Sequence, residues 1–242
     1  MDDLFYASFD SKTIWPPADK MPQGFDWEQI LELGENPGLG IRKLHARGVT
    51  GRGVGIAIID QPLLTEHQEY KNRLKLYEVN NVKPGKSTMH GAAAASIAVG
   101  KTVGVAPEAN LYYIETYAGD FGENGFTYNF RYKAQGVRRI LEINEQLPED
   151  YKIRVISISV GWSPVQAGYD EITAAVEEAK AAGMLVVCSS IERVHGVKFH
   201  GLGRFPWLTP MSLSLTSRAY SGPRDSTLAN SFLTACWYLW TH

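Results

Sequence analysis

The chain has 242 residues, 44% apolar and 21% charged, with 24 Lys and Arg set against 26 Asp and Glu for a net charge of −2. That length can bury a sizeable core, as one large domain or one domain with extensions, and the charge balance gives no electrostatic case for nucleic acid or a membrane surface as partner. Cys188 and Cys236 make no disulfide framework. No uncharged run approaches the ~18 residues of a membrane span, and the acidic start Met1-Asp2-Asp3-Leu4 has no apolar run behind it; the expected location is cytoplasmic.

Residues 1–24 carry Trp15-Pro16-Pro17 and Met21-Pro22 with no sustained period, and are expected to form an irregular N-terminal arm. From Asp26 onward, Ile30, Leu31 and Leu33, then Ile41, Leu44 and Val49, predict short helices broken at Asn36-Pro37-Gly38-Leu39-Gly40. Val54–Ile59 is apolar on successive residues, the pattern of a strand buried on both faces of a parallel sheet. Arg73–Val79 is a more polar candidate strand, and His90–Val99 a helix of small residues suited to close packing. Leu111–Ile114, Val155–Val160 and Met184–Cys188 are further strands. Phe130–Gln146 and Asp170–Ala182, the latter ending at Gly183, are helices. The alternation from 54 to 190 predicts an α/β domain: a parallel sheet flanked by helices. Cys188 fits it as a small core residue.

After about Arg204 the character changes. Residues 205–242 contain one acid, Asp225, no Lys, and three of the six Trp. We read 25–204 as one domain and 205–242 as an atypical tail. A shifted reading frame would account for that composition: Cys236–Thr241, read one nucleotide earlier, can encode Leu-Val-Pro-Met-Asp. A naturally short form whose tail covers the sheet is the alternative.

Two residues attract chemical attention. Asp60 ends the first buried strand, and His90 opens the small-residue helix. An acid and an imidazole so placed can form two members of a relay that activates a nucleophile. Polar residues at strand ends of parallel sheets are commonly site residues. With Gly104-Val105-Ala106-Pro107 and Ser159-Val160-Gly161, these segments resemble the subtilisin-like serine proteases, in order and spacing, over roughly residues 38–190. The resemblance implies the three-layer fold of that family, truncated at its C-terminal side, with a serine endopeptidase reaction. It implies Asp60 and His90 as catalytic residues, and Ser159, Val160 and Gly161 as the substrate wall that pairs with an extended peptide. The expected partner is a peptide or protein substrate, with no cofactor.

The sequence departs from that pattern at several points. Gln61-Pro62 follow the Asp, and Ala92-Ala93 follow His90-Gly91. The family's oxyanion-donating Asn is replaced by Ser189-Ser190-Ile191-Glu192. No Gly-Thr-Ser-Met-Ala segment occurs. Leu215-Thr216-Ser217-Arg218-Ala219 lacks the Gly and places Arg where a helix would enter the core, and Ser221 before Gly222-Pro223 fits no better. No nucleophile is recognisable, so the chain as written is expected to be inactive. The alternative is a non-catalytic relative that binds peptides or proteins.

Other classes fail on position. Gly51-Arg52-Gly53-Val54-Gly55 precedes its strand, whereas a dinucleotide fingerprint follows one. Gly85-Lys86-Ser87-Thr88 would need a glycine where Asn80 stands to complete a P-loop. His45, His67, His195 and His200 show no metal-ligand spacing and read as surface or loop histidines, and no acidic loop is assignable to calcium. No metal site is expected.

Overall fold

The structure is a computed structural model that describes residues 9–80, 87–123 and 125–189, and the backbone of 201–203 and 217–219. The described residues fall into two units, one within 49–199 and one drawn from 1–48 and 200–242.

In the second of these units, residues 9–25 are irregular apart from a 3₁₀ turn at Ala18–Lys20. Trp15 holds this segment together: Phe9, Phe25 and Trp27 surround its ring, with centroids 4.9, 5.4 and 6.0 Å away. Helix α1 (Trp27–Glu35) starts where the Asp26 carboxylate accepts the Gln29 N–H at 2.9 Å. Helix α2 (Ile41–Ala46) follows the Asn36–Gly40 break and pairs its Arg42 with Glu32. A short antiparallel pairing at residues 201–203 and 217–219 belongs to the same unit.

Residues 49–199 build the α/β domain. Its strands are β1 (Gly55–Asp60), β2 (Leu74–Val79), β3 (Asn110–Glu115), β4 (Gly119–Gly122), β5 (Gly125–Tyr128), β6 (Ile153–Ile158) and β7 (Leu185–Cys188). Between them run α3 (Met89–Val99), α4 (Arg131–Gln146) and α5 (Tyr169–Ala181). Five strands form one parallel sheet in the order β2-β3-β1-β6-β7. Central β1 buries Ala57, Ile58, Ile59 and Asp60, which explains its unbroken apolar run; the more polar β2 is an edge.

Each face of the sheet has its own cluster. Ile58, Leu111 and Tyr113 meet Ala92, Ala95 and Val99 of α3, whose small side chains let the helix lie close. Ala57, Ile59, Tyr112 and Ile114 meet α4 through Ala134, Val137 and Ile140, while Ile172, Ala175 and Val176 of α5 complete that cluster. Toward β7 the α3 side is less covered: Leu185 and Val187 are 61% and 40% exposed.

The chain leaves β1 toward β2 but leaves β6 toward β7, on the opposite side. The carboxyl ends of adjacent β1 and β6 therefore flank a topological switch point, the crevice where parallel α/β sheets place their sites. Asp60 ends one of these strands and Ser159 follows the other.

Boundaries differ from the sequence expectation for local reasons. Helix α3 begins a residue early, at Met89, because Thr88 caps it by accepting the Gly91 N–H. Strand β6 runs from Ile153 to Ile158, not to Val160, because Val160 N–H turns back to the Ile158 carbonyl at 2.8 Å. The β4–β5 hairpin was not anticipated; its residues have neither a buried run nor a clear alternation, and Phe121, Phe126 and Tyr128 point outward.

Gly91 explains why α3 can reach the end of β1. A Cβ there would lie 2.6 Å from the Tyr113 hydroxyl, 2.8 Å from the Gln61 carbonyl and 2.9 Å from the Pro62 carbonyl. Two of the three are backbone atoms that cannot swing aside. Gly91→Ala is expected to destabilise the domain by ~1–3 kcal/mol, as overpacking in a tight core does, measured by urea denaturation followed by circular dichroism. An unchanged midpoint would mean the helix has slack at this contact.

Candidate active site

The sheet places an acid at the end of a buried strand, and the close approach of α3 brings an imidazole to it. His90 Nδ1 lies 2.8 Å from Asp60 Oδ1. The same carboxylate oxygen accepts the Gln61 N–H at 2.7 Å. The Asp60 side chain is 5% exposed and that of His90 45%, so the acid is buried while the imidazole reaches the surface. Asp60 Oδ2 is buried with no hydrogen-bond partner among the described residues.

Burial by itself would raise the Asp60 carboxyl. The His90 hydrogen bond, the nearby charges of His90 and Lys133, and the Gln61 N–H outweigh it and hold the group below its ordinary value near 3.8. The hydrogen bond to Asp60 raises His90 above its ordinary value near 6.5, against burial and the charge of Lys133. Both directions describe a carboxylate stabilising an imidazolium. An imidazole held this way through Nδ1 presents its other nitrogen for proton transfer.

The structure also brings in residues that were not singled out from the sequence. Lys133, on α4, is 4% exposed and donates to the carbonyls of Ile59 at 3.2 Å and Thr116 at 2.8 Å. Burial depresses its ammonium to about 8, although Asp60 pulls the other way. Its sequence signal was a Lys within the apolar stripe of α4 that includes Ala134, Val137 and Ile140. Glu115 ends β3 directly beside Asp60 in register and is 1% exposed, a second strand-end acid. It accepts from the Tyr77 hydroxyl. Burial and that hydrogen bond push Tyr77 up to about 12. Tyr113, raised by burial, donates to the Gln61 carbonyl at 2.6 Å and so fixes the turn after Asp60.

Ser159, Val160 and Gly161 follow β6 without further ladder pairing and are half-buried. Trp162 beside them is 5% exposed, with its ring 6.0 Å from Phe130 and its Nε1–H donating to Thr173 Oγ1 at 3.3 Å, so it packs inward. The Gly104–Pro107 turn lies against the end of α3, where Val105 and Ala106 N–H donate to the Ile97 and Ala98 carbonyls, both at 2.9 Å. Gly104 is required there, because a Cβ would fall 2.3 Å from the Gly100 carbonyl oxygen.

His67 departs from the expected surface placement. It is 4% exposed, stacks on Tyr70 and accepts the Glu69 N–H through Nδ1 at 3.3 Å. Cys188 is half-buried against the core. Ser189 is exposed. Ser190, Ile191, Glu192, His195, His200, Ser221, Cys236 and the Gly85–Lys86 part of the P-loop look-alike lie outside the described residues. So does the 205–242 tail, except that Ser217–Ala219 has strand backbone. Among the described residues no group of three His, Cys, Asp or Glu side chains could hold a metal ion. No helix among them is long and apolar enough to cross a membrane.

A buried strand-end carboxylate that holds an imidazole at the switch point of a parallel sheet can orient that imidazole to take up and release a proton. Comparison with known proteins gives the family. Residues 51–193 match the family model described as the Subtilase family. The major intracellular serine protease of Bacillus subtilis (strain 168) is 26% identical over 179 residues, covering 67% of this chain and 51% of that protein. The chain thus spans about half the length of the curated relative it matches. Among solved structures, the prenylagaramide maturation protease PagA aligns with TM-score 0.48 at 15% identity, covering 62% of this chain and 50% of that one. The nisin leader peptidase NisP of Lactococcus lactis aligns with TM-score 0.44 at 19% identity, covering 63% and 49%. The chain belongs to the subtilase family.

The linkage of the pair has a definite sign. The His90 contribution to stability is present below its ordinary pKa and is lost as pH rises through the raised one. The Asp60 contribution is present above 3.8 and is lost as pH falls through the lowered one. Asp60→Asn is expected to lower the His90 midpoint in an NMR titration. It should also cost more stability at about pH 5 than at about pH 9. An unmoved midpoint would show that the contact does not govern the imidazole.

Proposed function

We propose that this chain carries the amino-terminal two-thirds of a subtilisin-like serine endopeptidase domain, with Asp60 and His90 as two members of its relay. The 2.8 Å contact between a buried carboxylate and a half-exposed imidazole carries this reading. In the reaction, His90 takes the proton of a serine hydroxyl as the oxygen attacks a peptide carbonyl. Asp60 holds the imidazole in the required tautomer and stabilises the imidazolium. His90 then returns the proton to the leaving amine. Ser159, Val160 and Gly161, which follow the last ladder pair of β6, would align an extended peptide through main-chain hydrogen bonds. The substrate class is a peptide or protein.

The chain as written has no recognisable serine to complete the relay, so we infer that it does not turn over substrate. We read the tail beyond Arg204 as a displaced reading frame, the alternative being a naturally short form.

A fluorophosphonate probe tests both halves. The present chain is expected to show no labelled serine and no peptide hydrolysis. A chain completed from a downstream frame containing a Gly-Thr-Ser-like segment should label and hydrolyse, and His90→Ala should then reduce kcat by roughly 10⁶. Labelling of the present chain that disappears in His90→Ala would overturn the inference of inactivity. Specific binding of an extended peptide without labelling, even in the completed chain, would favour a non-catalytic binder.

A further inference from the structure

Lys133 is the described lysine that the relay does not use and the core does not explain. It projects from the apolar stripe of α4 to the carboxyl end of the sheet. There its ammonium donates to the carbonyl of Ile59, the residue before Asp60, and to that of Thr116, the residue after Glu115. The Thr116 N–H in turn donates to the Asp60 carbonyl at 2.8 Å. These contacts close a ring around the peptide that carries Asp60, its links being Ile59 carbonyl to Lys133, Lys133 to Thr116, and Thr116 back to Asp60.

We propose that Lys133 is a positioning residue for the Asp60–His90 pair: its ammonium clamps the end of β1 to the segment after β3 and brings positive charge to the strand end that carries the buried carboxylate. This rests on the reading of Asp60 and His90 as a relay. The cost of burying an ammonium is large unless something offsets it, and two carbonyls alone are a poor return for a cation. An anion nearby supplies the rest. Among the described residues, the charged and titratable groups around the pair are Lys133 from α4, Glu115 and Tyr113 from β3, and Tyr77 from β2. Glu115 accepts from Tyr77, and Tyr113 donates to the Gln61 carbonyl. The Lys133 charge favours the ionised form of Asp60 and, of opposite effect on a cation, disfavours the imidazolium of His90. Lys133 therefore tempers the basicity that Asp60 confers on His90.

The test follows the ring signals of His90 in the full chain, labelled on histidine and assigned by their loss in His90→Gln. Lys133→Met removes charge and clamp; Lys133→Gln removes the charge and keeps a donor. Both are expected to move the His90 midpoint to higher pH, by roughly half a pH unit, opposite in direction to Asp60→Asn. A midpoint unchanged in folded Lys133→Met, while Asp60→Asn still lowers it, would overturn the role of Lys133 and leave the relay intact. If Asp60→Asn has no effect either, the relay reading itself falls. Should neither neutral variant fold, the wild-type chain decides: the Lys133 Nζ signal is expected to respond as His90 titrates, and a signal indifferent to that titration would reduce Lys133 to a structural clamp.

Discussion

An ionised carboxylate with almost no exposed surface is costly, and the upper end of this sheet is organised around meeting that cost at Asp60. One oxygen is satisfied by the Gln61 N–H and the His90 ring, and Lys133 adds positive charge from the opposite face of the sheet. Each partner comes from a different element: the turn after β1, the start of α3, and the first turn of α4. The carboxylate thus links elements that are distant in sequence. Its position depends on the glycine and alanines that let α3 sit close enough for Nδ1 to reach.

The coverage of the sheet is uneven, and this follows from which crossovers the described residues contain. Two helices, α4 and α5, pack on one face and bury a continuous aliphatic layer. The other face has α3 over β1 and β3, with a smaller cluster beneath it. Alternate side chains of β7 remain open on that side. Among the described residues, a sheet built to be buried on both faces is therefore only partly covered toward β7. The edge strand β2 tolerates exposure better, because its sequence mixes charged residues with apolar ones.

Much of this was legible in the residues. Successive apolar positions in Val54–Ile59 announced a strand buried on both faces, and the small residues of 90–99 announced a helix packed close. A strand-end acid and a helix-start imidazole stood out as a pair able to meet, and Asp60 and His90 do lie 2.8 Å apart. What stayed hidden has identifiable causes. The β4–β5 hairpin presents aromatics to solvent on both strands and so lacks the alternation by which a half-buried strand is recognised. Lys133 gives no local signal beyond that of a charged residue on an amphipathic helix, although its spacing puts it on the apolar side. Glu115 resembled any polar residue ending a strand until the register set it beside Asp60. His67, on a loop, gave no local sign that Tyr70 would cover it.

The sequence by itself determined the class of fold, the order of its central elements and the two residues of the pair, because periodicity and strand-end position are properties a short segment carries alone. Only the tertiary structure decided that Asp60 and His90 meet, that Lys133 reaches the same strand end from the far face, and that Glu115 stands alongside. Those facts depend on strand order, register and the distance between packed backbones, which arise from contacts between segments dozens of residues apart and leave no trace in any one of them.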